Sequence, residues 1–525
     1  MSTMRREITW VDAFFVSSGV SIGLLFSLGS IGSTVGTSAW LIWVMSSTIA
    51  LLQAFTYAEL AGLFPDKSGG TSVYGAIAWV KYAKPVAPVC VWSNWLAWSP
   101  VLAFSSQLMS GYILSTFFSK TSWINTWQIK ILDLGFIKDN LSIRFDSTFV
   151  LSVAIVVLIF LIQKHGILRT AKAQKIAACC TFIPLILFGL FAIFLGKLDL
   201  SNLELLPLDY NSNGEPIKGV WSPGLITVFL GGLYLCAWST YGVENAVCYT
   251  SEYKNPEKDT RKALMAAGFF CIFMCTLVPI AFYGSIDMDT LLSPGVSGGT
   301  EMNKAMAGIF GGGDVLIFLF LVALVIGLFV VVMTALAGSS RTLYQASVDG
   351  WLPKYLSHLN KDGTPTYAMA TDMVFNIILL MISDYNFLLA CANLNYMVFI
   401  FFNLNSIWIH RIDRPQQRRP YRTPIFLLVF NVGLAFINLF LLGIGADLWG
   451  NGTLVIGSIS VLCIVPVFWY RHNLRDKGHF PAAFQNELDK MTVRKAGAWP
   501  YICILAGIAI IIAGKLLYND LSPFA

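Results

Sequence analysis

Charge of either sign is what this sequence has least of: 35 basic and 29 acidic residues make up 12 % of 525, where a soluble domain carries roughly 25 %. With 56 % hydrophobic residues and uncharged runs recurring along the whole length, one soluble core is excluded and an all-α polytopic membrane protein is implied. Histidine is scarce too. The five present, His165, His358, His410, His472 and His479, stand at or beyond the ends of apolar runs, which excludes an intramembrane histidine metal cluster. The ten cysteines form no CxxC pair and sit nearly all inside apolar runs, as small packing residues do, so neither a disulfide framework nor a zinc site is expected. There is no Walker loop, no Ser-His-Asp order and no HExxH, and the glycine-rich stretch 308–314 has no strand before it to form a phosphate cradle. No cofactor and no metal are expected. The net charge of +6 resides in short basic blocks between apolar runs, which is a topology signal and not a nucleic-acid footprint.

At about 20 apolar residues per crossing, thirteen spans are expected. They lie near 12–36 (span 1), 39–63 (span 2), 86–117 (span 3), 149–163 (span 4), 175–196 (span 5), 224–250 (span 6), 263–284 (span 7), 315–340 (span 8), 367–383 (span 9), 386–410 (span 10), 425–447 (span 11), 452–470 (span 12) and 498–517 (span 13). Span 4 is short, and Asp384 occupies a very tight joint between spans 9 and 10. The first span has no small-x-small cleavage signature before it and is read as uncleaved. Cytoplasmic loops accumulate Lys and Arg. An inside N-terminus puts 27 of the 35 basic residues in inner segments and 8 in outer ones. The N-terminus is therefore expected in the cytoplasm and, after an odd number of crossings, the C-terminus outside. The longest inner loop, 471–497, is charged and too short to fold alone, so it reads as a tether for span 13.

Two spans are composed unlike the others. Span 1 crowds Ser17, Ser18, Gly19, Ser21, Gly23, Gly29, Gly32 and Gly36 into what should be a greasy helix, and span 6 carries Gly231, Gly232, Ser239, Thr240, Gly242, Glu244 and Asn245. If the first ten spans are two sets of five, these are the first members of each set. Paired interrupted helices in matching positions point to a substrate site near the bilayer midplane, because opened backbone is tolerated only where it lines a cavity. Gly19-xxx-Gly23 and Gly32-xxx-Gly36 also fit helix-packing motifs.

Glu244 is the most informative residue. A carboxylate inside a span costs about 3 kcal/mol on insertion scales, so it must face a cavity, find a partner or take up a proton; bonding to backbone freed at Gly242 is the structural alternative. Trp238 and Tyr241 flank the same interruption, where a large ring can close over a ligand. In span 3, Asn94 and Trp95 are further candidates, although aromatic residues at the spacing of Trp92, Trp95 and Trp98 more often pack than bind. Glu59 and Asp372 lie close to the cytoplasmic side and are expected to pair with nearby Lys or Arg. Thr334, Ser339 and Ser340 near the end of span 8 offer hydroxyl ligands for sodium, or packing.

Four segments carry a resemblance: YAELAGLFPDKSGGTSVYGAIAWV after span 2, GVENAVCYTSEYKNPEKDTRKAL leaving span 6, SSRTLYQASVDGWLPKYLSHLNKDGTP after span 8, and RPQQRRPYRTP before span 11. In that order they resemble amino acid permeases of the amino acid–polyamine–organocation superfamily, over roughly residues 8 to 425. The resemblance implies a leucine-transporter (LeuT)-like five-plus-five inverted-repeat core in 1–411, with accessory C-terminal helices in 412–525. It implies that Ser21, Ile22, Gly23 and Leu24 of span 1 hold a substrate carboxylate through backbone amides, that Trp238, Ser239, Tyr241 and Gly242 of span 6 take the amino group and gate the site, and that Glu244 is the acidic position just beyond. Two departures stand out. Gly23-Leu24-Leu25-Phe26 lacks the small residue usual in span 1, and no Lys occurs between Lys175 and Lys197 to replace sodium in span 5.

The expected function is a secondary active transporter that moves a small amino acid or related amine across the cell membrane by alternating access, coupled to protons or to exchange. A sodium-coupled symporter and a non-transporting permease-like sensor are the alternatives. An enzyme is not expected, since no nucleophile–base pair lies inside the spans.

Overall fold

The computed structural model describes residues 6–489 and 495–524, with the side chains of 167–170 outside the description. Arg5, Lys490, Arg494 and the Arg169 side chain, all in the charge count above, lie outside the described residues. Every expected span is occupied by helix. Among the described residues ten helices are long and apolar enough to cross a membrane: Trp10–Val35, Thr37–Leu63, Ala171–Phe194, Pro223–Glu252, Pro256–Ser285, Asp314–Val348, Tyr385–Asp413, Ile425–Trp449, Thr453–Arg475 and Trp499–Leu521. They are spans 1, 2, 5, 6, 7, 8, 10, 11, 12 and 13. The shorter apolar helices Ser147–Gln163 and Thr366–Leu379 fill spans 4 and 9. Span 3 is Val86–Trp98 and Val101–Phe117, joined through Ser99 and Pro100, which keep helical angles while the missing proline N–H divides the ladder. The chain is an all-α polytopic membrane protein.

Local chemistry sets the helix ends. Thr9 and Asp12 form a reciprocal capping box at the start of span 1. Ser222 caps span 6 ahead of Pro223 in the first turn. The tight joint between spans 9 and 10 is closed by Asp384, whose carboxylate accepts from the Asn386 and Phe387 amides and pairs with Lys138 at 2.5 Å. Spans 11 and 13 meet where a Cβ on Gly443 would lie 2.3 Å from the Ile511 carbonyl, so only glycine permits that approach.

Contacts sort the loops onto two faces. On one, Arg6 pairs with Asp66, Ile8 bridges Tyr253, Lys67 pairs with Asp349, and Arg414 pairs with Glu487. We call this the basic face. On the opposite face, Lys120 meets Glu301, Lys515 meets Asp447, and residues 521–523 lie against Gly224. The two described ends of the chain are therefore on opposite faces.

Two elements of the basic face depart from the expectation. The stretch 71–79 is a short helix buried inside the bundle. The loop read as a tether instead folds onto the bundle. Trp351 is fully buried against Phe468, Phe480 and Phe484 at ring distances of 5.6, 5.2 and 5.0 Å, and Arg471 donates to the Leu352 carbonyl. Three phenyl rings and a tryptophan, with His472 packed on Phe468 and Phe480, bury one another there, which is why so polar a segment is ordered.

Candidate functional site

Spans 1 and 6 are the meeting point. Span 1 is cut twice, at Ser18 and at Gly23, into Trp10–Ser17, Gly19–Ile22 and Leu24–Val35. The cuts tighten the helix and do not open it. Both residues keep helical angles, and the Ser21 and Gly23 amides donate three residues back, to Ser18 and Val20, at 3.0 and 2.8 Å. Near the first cut the Thr334 hydroxyl of span 8 donates to the Val16 carbonyl at 2.7 Å. Span 6 changes winding at Gly242, from α-helix to a tighter three-residue helix over Gly242–Glu252. A Cβ on Gly23 would stand 2.8 Å from the Val20 carbonyl and 3.4 Å from that of Ser239. The two backbones thus approach at the position the sequence picked out, and Ser27 and Ser239 share a hydrogen bond at 3.3 Å.

Toward the opposite face this crossing is covered by rings. Trp238 packs edge-on against Phe26 at 5.5 Å and Phe104 at 5.2 Å, and its indole donates to the Ala97 carbonyl at 2.9 Å. Toward the basic face lies Glu244, fully buried. Its Oε1 accepts from the Trp98 indole at 2.9 Å and the Tyr396 hydroxyl at 3.3 Å. No cation pairs with it among the described residues, and Oε2 has no hydrogen-bond partner. Asn94 Oδ1 and both polar atoms of Asn245 are likewise buried and unpartnered. Gly242 makes this arrangement possible, since a Cβ there would meet the Trp98 ring at 2.7 Å.

The remaining candidates divide. Ser21, Ile22 and Leu24 are buried around the cuts, with Ile22 against Gly327 of span 8. Asn94 reaches the start of the short helix Thr71–Trp79, donating to Ser72 at 2.6 Å and to the Gly69 carbonyl of the linker before it at 3.4 Å, and lies beside Gly70 together with Cys248 and Glu244. Trp95 and Tyr241 turn away: Trp95 donates to Asp372 of span 9 at 3.0 Å and Tyr241 to Asn438 of span 11 at 3.1 Å. The three hydroxyls offered for sodium do not converge. Thr334 serves span 1, Ser339 meets Asp372 and Ser340 bonds its own helix. Glu59 has the expected cations, Arg411 at 2.6 Å and Arg419 at 3.2 Å. Asp372 does not, and the expectation of a basic partner is corrected: its neighbours are Trp95, Ser99 and Ser339. Trp98, Phe26, Phe104 and Tyr396 are the residues sequence reading did not select. Trp98 was visible in its tryptophan-rich run; Phe104 and Tyr396 had no distinguishing signal.

Below Glu244 the motif after span 2 is fastened across the bundle. Gly69 and Gly70 take left-handed angles of 91° and 87°, which reverse the chain into the short helix. The Gly69 amide donates to the Cys248 carbonyl at 3.2 Å, its carbonyl accepts from Thr342 at 3.0 Å, and Ser68 bonds Ser251. Lys67 pairs with Asp349 at 2.7 Å, and Arg341 pairs with Glu252. Beyond this latch a cavity of about 1390 Å³ opens on the basic face, lined by Ser68, Ser251, Gln345, Arg471 and Phe480 among others.

Residues 8–469 match the family model described as amino acid permease. The chain is 24 % identical over 482 residues to a cystine/glutamate transporter of Pongo abelii, covering 89 % of this chain and 84 % of that one. It is 25 % identical over 412 residues to a putative arginine/ornithine antiporter of Escherichia coli strain K12, covering 74 % and 78 %. It is 22 % identical over 365 residues to an arginine/ornithine antiporter of Lactococcus lactis, covering 67 % and 68 %.

Proposed function

The chain belongs to the amino acid permease family of the amino acid–polyamine–organocation superfamily, and we propose that it moves a small amino acid or related amine across the cell membrane by alternating access, as a carrier and not an enzyme. The observation that carries this reading is the buried approach of spans 1 and 6 at Gly23 and Ser239, with the unpaired carboxylate oxygen of Glu244 beside it. Helix ends at such a crossing offer amides to a carboxylate and carbonyls to an ammonium. Ser21, Ile22, Gly23 and Leu24 take the first role, and Trp238, Ser239 and Gly242 the second. In the tightened helix Gly23 already donates to Val20, so substrate entry has to loosen that turn. Residues 1–411 are the transport core, and 412–525 buttress it through Asn438 and Trp449, which bond Tyr241 and the Gly231 carbonyl of span 6.

Glu244 is the proton-carrying group. Its free oxygen accepts either a proton or a substrate ammonium, and the two compete, which produces coupling or exchange from one carboxylate. The latch at residues 67–70 is the gate on the basic face, and the Phe26–Trp238–Phe104 cluster is the gate on the other. The excess of Lys and Arg supports a cytoplasmic basic face, with the C-terminus outside.

Counterflow in proteoliposomes tests the reading. Purified protein preloaded with an amino acid should take up labelled amino acid or amine against its gradient, from a panel of cystine, glutamate, arginine, ornithine and neutral amino acids. Failure with every member, by protein that keeps its thermal unfolding transition, would overturn it.

A further inference from the structure

Asp372 is fully buried in span 9, Thr366–Leu379, and the proposed function makes no use of it. Its Oδ1 accepts from the Trp95 indole at 3.0 Å and from Ser99, both of span 3, and its Oδ2 contacts the Ser339 hydroxyl of span 8. Asn376, one turn along, donates to Ser99 at 2.9 Å and to the Asp372 carbonyl at 2.9 Å, so the Ser99 proton is directed to Oδ1. Ser339 has a single proton and two oxygens to serve. It lies 2.8 Å from the Ala335 carbonyl as well as against Oδ2, and a proton on Oδ2 satisfies both contacts.

Among the described residues no cation pairs with this carboxyl. Spans 3 and 4 contain no Asp, Glu, Lys, Arg or His. On span 8 the closest ionised group is Arg341, taken by Glu252; at the 354–357 turn Lys354 is paired with Asp476, and His358 lies against the Tyr367 ring. At the far end of the joint Asp384 is paired with Lys138. An ionised, cation-free carboxylate in such a place is costly, whereas a neutral acid with three partners is not. The neighbouring Thr371 bonds Tyr355 at 3.2 Å, in the 354–357 turn whose Lys354 and Ser357 line the open cavity of the basic face.

We propose that Asp372 is a second proton-binding site, distinct from Glu244 and joined to it through span 3, whose Trp95 and Trp98 indoles each hold one of the two acids. The proton bound at Oδ2 fastens spans 3, 8 and 9 together. Its departure to basic-face water leaves a carboxylate that must be hydrated, which separates Ser339 from Asp372 and moves span 3 relative to Glu244.

Infrared difference spectroscopy of the reconstituted full chain across a pH series tests this without any transport measurement, so it stands apart from the counterflow experiment. At neutral pH the wild-type protein should show a protonated-carboxyl carbonyl band that Asp372→Asn removes and Glu244→Gln retains. Ser339→Ala should shift that band without abolishing it. Asparagine reproduces the neutral acid's pattern, accepting from Trp95 and Ser99 and donating to Ser339, so Asp372→Asn should also keep its Tm at alkaline pH, where the wild-type Tm falls. Should the asparagine variant not fold, Ser339→Ala alone decides by the shift. A band indifferent to both substitutions would overturn the proposal.

Discussion

Spans 2 and 6 each carry a glutamate with no exposure to solvent, and the two are satisfied by opposite means. Glu59 is enclosed by charge: Arg411 from the last turn of span 10 and Arg419 from the segment before span 11 reach it, and the Thr423 amide donates to it at 2.7 Å. Glu244 is enclosed by neutral donors on one oxygen, and its other oxygen, buried beside Gly70, has no hydrogen-bond partner. Both lie toward the basic face of their spans, so depth alone does not separate them. What separates them is whether the surroundings have fixed the charge. An acid between two guanidiniums is committed to being an anion, and its role is to fasten span 2 to the chain entering span 11. An acid with an idle oxygen is free to exchange its proton or bind an ammonium. In a chain with so few charges, a buried acid without a cation is where function concentrates.

The largest expected effect breaks the first member of this comparison. Glu59→Gln strands two arginines of low exposure, and removing one partner of a buried pair typically costs about 3–5 kcal/mol. Thermal unfolding in detergent should show a large fall in Tm. Glu244→Gln sharpens the contrast. The amide oxygen still accepts from Trp98 and Tyr396, so stability should change by no more than about 1 kcal/mol, while the pH dependence of uptake is weakened. Equal losses of Tm in the two variants would erase the distinction, and an unchanged pH profile in Glu244→Gln would remove its proton role.

A smaller effect belongs to the ring cover on the opposite side of the crossing. Trp238→Phe keeps an aromatic ring between Phe26 and Phe104 but deletes the indole donor to the Ala97 carbonyl. The cost is that of one hydrogen bond, about 1 kcal/mol, and the apparent substrate Kd should rise by up to about tenfold, read by thermal shift against ligand concentration. An unaltered Kd would take Trp238 out of the site.

Much of this was legible in the sequence because hydropathy alone fixes where helices cross: all thirteen expected spans hold helix, although the helices of spans 7 and 8 run seven and eight residues past the expected bounds on the basic face. Gly23 and Gly242 correctly marked where spans 1 and 6 change winding, but composition does not distinguish an opened chain from a tightened one. That depends on partners such as Thr334, which bonds span 1 from more than three hundred residues away. The same limit hid Asp372, whose character is set by Trp95, Ser99 and Ser339 on two other spans. The segment after span 12 was misjudged as a tether because its charged residues outnumber its rings; Phe480 and Phe484 gain their importance from Trp351, which no local window contains. Tyr241 was drawn to the site by its neighbours, yet its hydroxyl serves Asn438, a residue of the accessory helices.

The smallest effect extends the comparison to a carboxylate outside the spans. Asp476, just past span 12, is partly buried, which by itself would raise its pKa; bonds from Arg471 at 2.5 Å and Lys354 at 3.0 Å outweigh that and hold its carboxyl below the usual range. A carboxyl whose folded value lies below its unfolded one contributes stability above the ordinary carboxylate range and loses it as pH falls through the lower folded value. The difference in Tm between wild type and Asp476→Asn should therefore be constant from neutral pH down to that range and close only in stronger acid. Lys354 is 72 % exposed, so the difference should be modest, about 1 kcal/mol or less. This flat profile is what a carboxylate committed to its cations must show. If the Asp476 difference instead varied across neutral pH, pairing with cations would not fix a carboxylate's charge in this protein, and the division between Glu59 and Glu244 would lose its physical basis.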